Sequence, residues 1–368
     1  MISEAAVLDA LRQVQDPDLH RDIVTLGFVK DLVISGDSVA FTVELTTPAC
    51  PVKEDLERQA HAVVLAIEGV NEVKVTMTAQ VRARAGQGEP LAPGVKHVIA
   101  IASGKGGVGK STVTVNLAVS LALSGARVGL MDADVYGPCI PLMMGKQDAR
   151  PATQNEKIIP IRAHGVDMMS LGFLLEPGQA VLWRGPMVAG TIRQLLADVA
   201  WGELDYLLVD LPPGTGDAPM SLAQLAPITG VVIVSTPHQV AANIAGKAVQ
   251  LFRRLNAPIM GVVENMGEFT DPETGVTRRM FHGTPGTELA QTLQTNFLGS
   301  VPFDPRIGES GDAGVPSVLE YPDSDQARMF NQIAGEVARQ ASIVSMTRQD
   351  LTKLSDAAER PKFAPVNS

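Results

Sequence analysis

The chain has 368 residues, 45% hydrophobic and 19% charged, a balance that suits two globular domains and excludes disorder. It holds no run of eighteen uncharged apolar residues, and its opening MISEAAVLDALRQ lacks the features of a signal peptide, so the expected location is cytoplasmic with no membrane partner. The net charge of −10 speaks against a nucleic-acid partner, and the two cysteines, Cys50 and Cys139, make no disulfide framework.

Residues 1–80 read as a small α+β domain. Ala6, Val7, Ala10, Leu11 and Val14 recur at helical spacing behind Ser3, a good N-cap residue. Strands follow at 28–34 and 39–45, joined by the turn Ser35-Gly36-Asp37, and the alternation of Val39, Phe41, Val43 and Leu45 buries one face. Val52, Leu56, Ala60, Val63 and Ile67 define a second helix, and residues 70–77 a closing strand. The order α-β-β-α-β predicts helices on one face of a sheet. Residues 81–94, with Arg82, Arg84, Gly86, Gly88, Pro90, Pro93 and Gly94, read as a linker.

Residues 95–345 alternate apolar strands, at 98–102, 127–132, 206–211, 230–235 and 259–263, with helices. That pattern predicts an α/β domain, a mostly parallel sheet covered by helices on both faces. Ala327, Phe330, Ile333, Ala334, Val337 and Ala341 form the stripe of a late helix docked on the sheet. Residues 346–368 are polar, contain Pro361 and Pro365, and are expected to be a flexible tail.

The run Gly104-Lys105-Gly106-Gly107-Val108-Gly109-Lys110-Ser111-Thr112 lies between the first of those strands and a helix. That is the setting of a phosphate-binding loop. Glycines let successive N–H groups turn toward phosphate oxygens, and the helix start adds positive field. Lys110 then reaches the terminal phosphates and the Ser111 hydroxyl ligates Mg²⁺. Asp132 and Asp134 follow the second strand and suit a Mg²⁺-bound water and the attacking water, although an Asp-capped loop has the same composition. Tyr206–Asp210 resembles a Walker B strand that delivers Asp210 to the metal, and Gly214 and Gly216 beyond it suit a hinged switch with an N–H for the γ-phosphate. Asn265 ends a later strand, where it is expected at a base edge. No N-K-x-D motif is present, which favours ATP over GTP.

The form KGGVGKST resembles the deviant Walker A motif of the ParA/MinD/nitrogenase-iron-protein class. That resemblance implies a nucleotide-dependent homodimer in which Lys105 crosses to the partner's nucleotide, so Lys105, Lys110 and Asp134 are the expected catalytic residues. GKGGVGKST, DADVYGP and DLPPGTGD together resemble the Mrp/ApbC family of iron–sulfur cluster carrier ATPases over about His97 to Asp325. Asp16-Pro17-Asp18-Leu19 and Thr46-Thr47-Pro48-Ala49-Cys50-Pro51 resemble the small domain of SufT-type assembly factors.

These resemblances imply an ATP hydrolase, slow and Mg²⁺-dependent, that passes a [4Fe–4S] cluster to apo-proteins and works with assembly scaffolds. The family's usual C-x-x-C pair is absent after Val263-Glu264-Asn265-Met266, which puts the bridging cluster in doubt. A nucleotide-switched adaptor without its own cluster and a ParA/MinD-like positioning ATPase are the alternatives.

Cys50 precedes Pro51 and is expected at a helix N-cap, where the dipole favours a thiolate fit for iron; a buried packing residue is the other reading. Cys139 is expected to pack, with an atypical ligand role left open.

Overall fold

The computed structural model describes residues 2–81, 91–175, 185–271 and 273–358. The small domain has the expected order: α1 (Glu4–Leu11), β1 (Val29–Ser35), β2 (Ser38–Leu45), α2 (Lys53–Leu65) and β3 (Glu72–Ala79). Ser3 caps α1, its Oγ accepting from the Ala6 N–H. β1 and β2 pair antiparallel, whereas β2 and β3 pair parallel because α2 carries the chain back across the sheet. Strict alternation along β2 sends Val39, Phe41, Val43 and Leu45 into a core shared with Val7, Leu11, Leu56 and Val64.

The large domain is built on eight strands: β4 (Val95–Ser103), β5 (Val128–Asp132), β6 (Ile161–Ala163), β7 (Val166–Ser170), β8 (Leu204–Asp210), β9 (Ile228–Ser235), β10 (Ile259–Asn265) and β11 (Phe297–Val301). Their order is β6-β7-β5-β8-β4-β9-β10-β11, parallel throughout except for β6. Of the three strands that sequence periodicity left unassigned, β6 and β11 are the sheet's edges and β7 lies between β6 and β5. Edge strands lose the all-apolar signature: β11 is only partly buried, with Gly299 and Ser300 in its middle.

The helix α3 (Lys110–Leu123) is buried on nearly every side, because the sheet lies beneath it and a long C-terminal helix, α4 (Asp325–Ala358), crosses it. The stripe Ala327, Phe330, Ile333, Ala334, Val337 and Ala341 is fully buried, as the spacing predicts. That helix continues past residue 346, which corrects the reading of a tail starting there. Nothing between Met346 and Ala358 breaks a helix, the first proline being Pro361. Pro361, Pro365 and the linker residues Arg82, Arg84, Gly86, Gly88 and Pro90 lie outside the described residues.

The two domains are locked together around the loop Thr46–Pro51. The fully buried Tyr206, on β8, donates its hydroxyl to Thr47 Oγ1 at 3.0 Å. Arg339 of α4 pairs with Asp18 and also holds Glu336. At Gly335 the helix comes so close that a Cβ would stand 2.9 Å from the Ala49 carbonyl oxygen, so only glycine fits without a shift. Met346, farther along α4, packs against the small-domain core.

Tyr206→Phe removes the buried hydroxyl while keeping the ring. The Thr47 hydroxyl retains the Ala49 N–H, so a cost of about 1 kcal/mol is expected, read from urea unfolding. A loss near zero would mean that the bond adds nothing to docking.

Candidate nucleotide site

Parallel strands bring their carboxyl ends to one edge, and the register here is tight. Asp210 pairs with Asp132 and with Ile101, and Ser170 pairs with Asp132. Ligands bind open α/β sheets at that edge. The loop between β4 and α3 stands directly over it. Gly107 and Gly109 take positive φ (+77° and +76°), and Gly109 is the N-cap of α3.

Lys110 is buried and its Nζ lies 2.7 Å from Asp210 Oδ2. Ser111 donates to the same Oδ2 at 2.6 Å, and Thr114 donates to Oδ1 at 2.6 Å. Thr114 escaped the sequence reading. Its signal was available, since it sits one helical turn after Lys110 and so shares its face.

Asp132 is fully buried, accepting from the Ser170 hydroxyl at 2.9 Å and from the Asp134 N–H at 3.2 Å. Burial, and then the neighbouring Asp210 carboxylate, push Asp132 up to about 7. Ser170 was missed because its strand was. Asp134 is half-buried and shifted upward, chiefly by burial. It lines a cleft of about 540 Å³ with Tyr136, Pro212, Pro213, Gly216 and Asp217.

Lys105 is half-buried on the loop, and among the described residues no carboxylate pairs with it. Gly214 has φ +96°, in keeping with a hinge, but its N–H donates to the Ser103 carbonyl at 2.9 Å. In this conformation it is not open to a γ-phosphate, which corrects that part of the switch reading. Gly216 caps the next helix, Asp217–Leu225.

One expected role changes and another gains a partner. Asn265 is buried at the strand end where the sequence puts it, and its amide Nδ2 donates to the Val108 carbonyl at 2.9 Å, so it also braces the loop. Cys50 is not an N-cap: α2 starts at Lys53 with Val52 as its cap. Burial between the domains raises the Cys50 thiol pKa, so the helix dipole does not make it a thiolate here. Pro51 suits a helix start, but the following turn opens the helix two residues later than composition suggests. Cys139 lies beside Ser111, with Asp132, Asp210 and Lys110 close by, and burial pushes it up to about 11. Sequence alone gave no sign of that placement.

A family described as NUBPL iron-transfer P-loop NTPase matches residues 94–338, and one described as iron–sulfur cluster assembly protein matches residues 4–76. The chain belongs to the NUBPL iron-transfer P-loop NTPase family. It is 47% identical to the iron-sulfur cluster carrier protein of Deinococcus radiodurans, over 93% of this chain and 97% of that one. It is 46% identical to the chloroplastic Fe-S cluster assembly factor HCF101 of Arabidopsis thaliana, over 92% of this chain and 64% of that one. Among solved structures it is similar to a nucleotide-binding protein of Archaeoglobus fulgidus in complex with ADP. There the identity is 40% and the TM-score 0.56, covering 64% of this chain and 92% of that one. The P-loop reading and the small-domain reading thus each find a matching family, and the P-loop NTPase fold is the one the sequence predicts.

The Asp132 shift has a definite sign. An acid with a raised folded-state pKa binds more protons when folded, so it costs stability as pH rises between its ordinary 3.8 and about 7. Asp132→Asn should therefore gain melting temperature over the wild type as pH rises through that window and hold the gain above it. Thermal unfolding of metal-free protein checks this, and a pH-independent difference would refute it.

Proposed function

We propose that this protein is an ATP hydrolase that carries iron–sulfur clusters to apo-proteins and acts as a nucleotide-dependent homodimer in the cytoplasm. The observation that carries the reading is the physical union of two devices. A complete phosphate loop stands over the Asp132–Asp210 carboxylates, and the cysteine-bearing loop of an assembly-type domain is hydrogen-bonded to the same strand that ends in Asp210.

The chemistry follows from the residues. Loop N–H groups and Lys110 bind the triphosphate, and Lys110 must leave Asp210 to do so. The donor set Ser111, Asp132 and Asp210 is hard oxygen throughout, which fits Mg²⁺, and two buried carboxylates gain from a cation between them. Mg²⁺ held there would neutralise charge that develops on the phosphoryl oxygens. Asp134, raised by burial and facing the cleft, is suited to orient the attacking water. Lys105, which pairs with no carboxylate among the described residues, is free to reach a second copy's nucleotide. The family's turnover is slow by resemblance, and a Lys110–Asp210 pair that must first open is consistent with that.

The cargo side rests on Cys50. The hairpin Glu268–Thr270/Thr277–Arg279 that follows Asn265 carries no cysteine, so thiolate for a cluster comes from Cys50, from Cys139 or from outside the chain. Cys50 alone is too few and Cys139 lies instead beside Ser111, so a cluster held at Cys50 needs ligands from a second copy or from the recipient. The missing pair also supports a second reading, an adaptor that switches with nucleotide and holds no cluster itself.

Anaerobic reconstitution with iron and sulfide separates these. Iron and visible absorption in the wild type that disappear in Cys50→Ala establish the carrier; no cluster with intact ATP turnover favours the adaptor. Lys110→Ala should cut ATP turnover by at least about 10²-fold. Cys50→Ala should leave it unchanged. ATP turnover that survives Lys110→Ala would end the phosphate-loop assignment.

A further inference from the structure

The loop that carries Cys50 is enclosed by the other domain, and little space is left beside the thiol. Cys50 is half-buried and packs on one side against the small-domain core. On the other side is a cavity of about 20 Å³, lined by Asp18, Thr47, Arg339 and Ile343 among others. A volume of that size holds about one water molecule. Four irons and four sulfides do not fit in it, and neither does the cysteine of a second protein.

The cover is α4. Gly335 brings the helix backbone against the Ala49 carbonyl, next in the chain to Cys50. Arg339 and Ile343 stand one and two turns farther along, share that face and close the cavity. Arg339 supplies an ionic contact across the junction, to Asp18. Its Nε also donates to Glu336 Oε2 at 2.7 Å, within the same helix, so the guanidinium keeps a partner and its direction when Asp18 leaves. Burial pushes the Asp18 carboxyl up even with Arg339 beside it, so the docked carboxylate stays charged at a cost that water would remove. Each domain has a core of its own, around Phe41 and Leu56 in one and Leu208 and Phe330 in the other. Separation therefore opens the junction and leaves both folds intact.

We propose that the docked arrangement is the closed state of the carrier, with α4 as a lid on Cys50 latched by the Arg339–Asp18 pair, and that the thiol meets a cluster or a recipient only after the small domain lifts away. The inference rests on the cargo reading of Cys50 and adds the step that must precede loading or delivery there.

The test labels the full chain with fluorescein maleimide, a reagent too bulky for the cavity, and reads each cysteine by peptide mass spectrometry. Wild-type Cys50 is expected to react at least about 10²-fold more slowly than in the urea-unfolded chain, because labelling waits for the opening. Arg339→Gln breaks the latch, and Gly335→Ala pushes α4 off the Ala49 carbonyl. Each is expected to speed Cys50 by about tenfold, the effect of one lost charged contact, while Cys139 keeps its rate. Arg339→Gln also removes a positive charge that favours the Cys50 thiolate, which by itself slows the reaction, so a faster rate reports exposure. Gly335→Ala changes no charge, and either variant carries the test if the other does not fold.

Wild-type Cys50 that reacts within about twofold of the unfolded chain overturns the proposal, since nothing then covers it. Wild-type rates in the folded variants overturn it too. So does an equal acceleration of Cys50 and Cys139, which is loosening of the whole chain. Anaerobic reconstitution of the same variants with iron and sulfide keeps the two readings apart. A Cys50 that is unlocked yet takes up no iron ends the cargo reading and leaves the lid standing; iron held at Cys50 by a chain whose thiol the variants do not unlock ends the lid.

Discussion

The carboxylate of Asp210 is the point on which the structure turns. It is fully buried at the end of a central strand and satisfied by one ammonium, one seryl and one threonyl hydroxyl, all from the first turns of α3. A buried charge without partners would cost several kcal/mol, and removing one member of such a pair typically costs roughly 3–5 kcal/mol. The helix and the strand are therefore registered to each other by charge as well as by packing. The loop between them inherits its position from that register.

The same pair gives the site a resting state. Lys110 and the two hydroxyls occupy one another and Asp210, so ligand binding exchanges protein partners for phosphate and cation. Asp132, next in the sheet, is kept near neutral affinity for its proton by burial and by Asp210. Two acids in so dry a place tend to share charge between them, and a hard cation is the chemical remedy. The thiol of Cys139 at the rim, raised by burial, adds little charge of its own.

Docking of the small domain extends this frame. Tyr206 lies on the strand that ends in Asp210 and holds Thr47, a few residues before Cys50. On the opposite side, α4 covers the loop through Arg339 and the gap at Gly335. The cysteine of the assembly-type domain is thus shielded by the ATPase domain, and its acidity reflects burial at the junction more than its nearness to a helix end.

Much of this molecule is written locally. The alternation in β2, the all-round apolar helix after the loop, the stripe on α4 and the glycine spacing of Gly104–Gly109 each follow from neighbours along the chain. Their period or conformational need is a property of a dozen residues at most. Lys110, Ser111, Asp132, Asp134 and Asp210 were legible for the same reason, each standing at a strand or helix end. What depended on distant segments was not. The edge strands β6 and β11, the inner strand β7, the hydroxyl of Ser170, the brace from Asn265, the seat of Cys139 and the covering of Cys50 are decided by which elements meet. Strand order and domain docking are global outcomes of burying apolar faces, and no local window of sequence carries them.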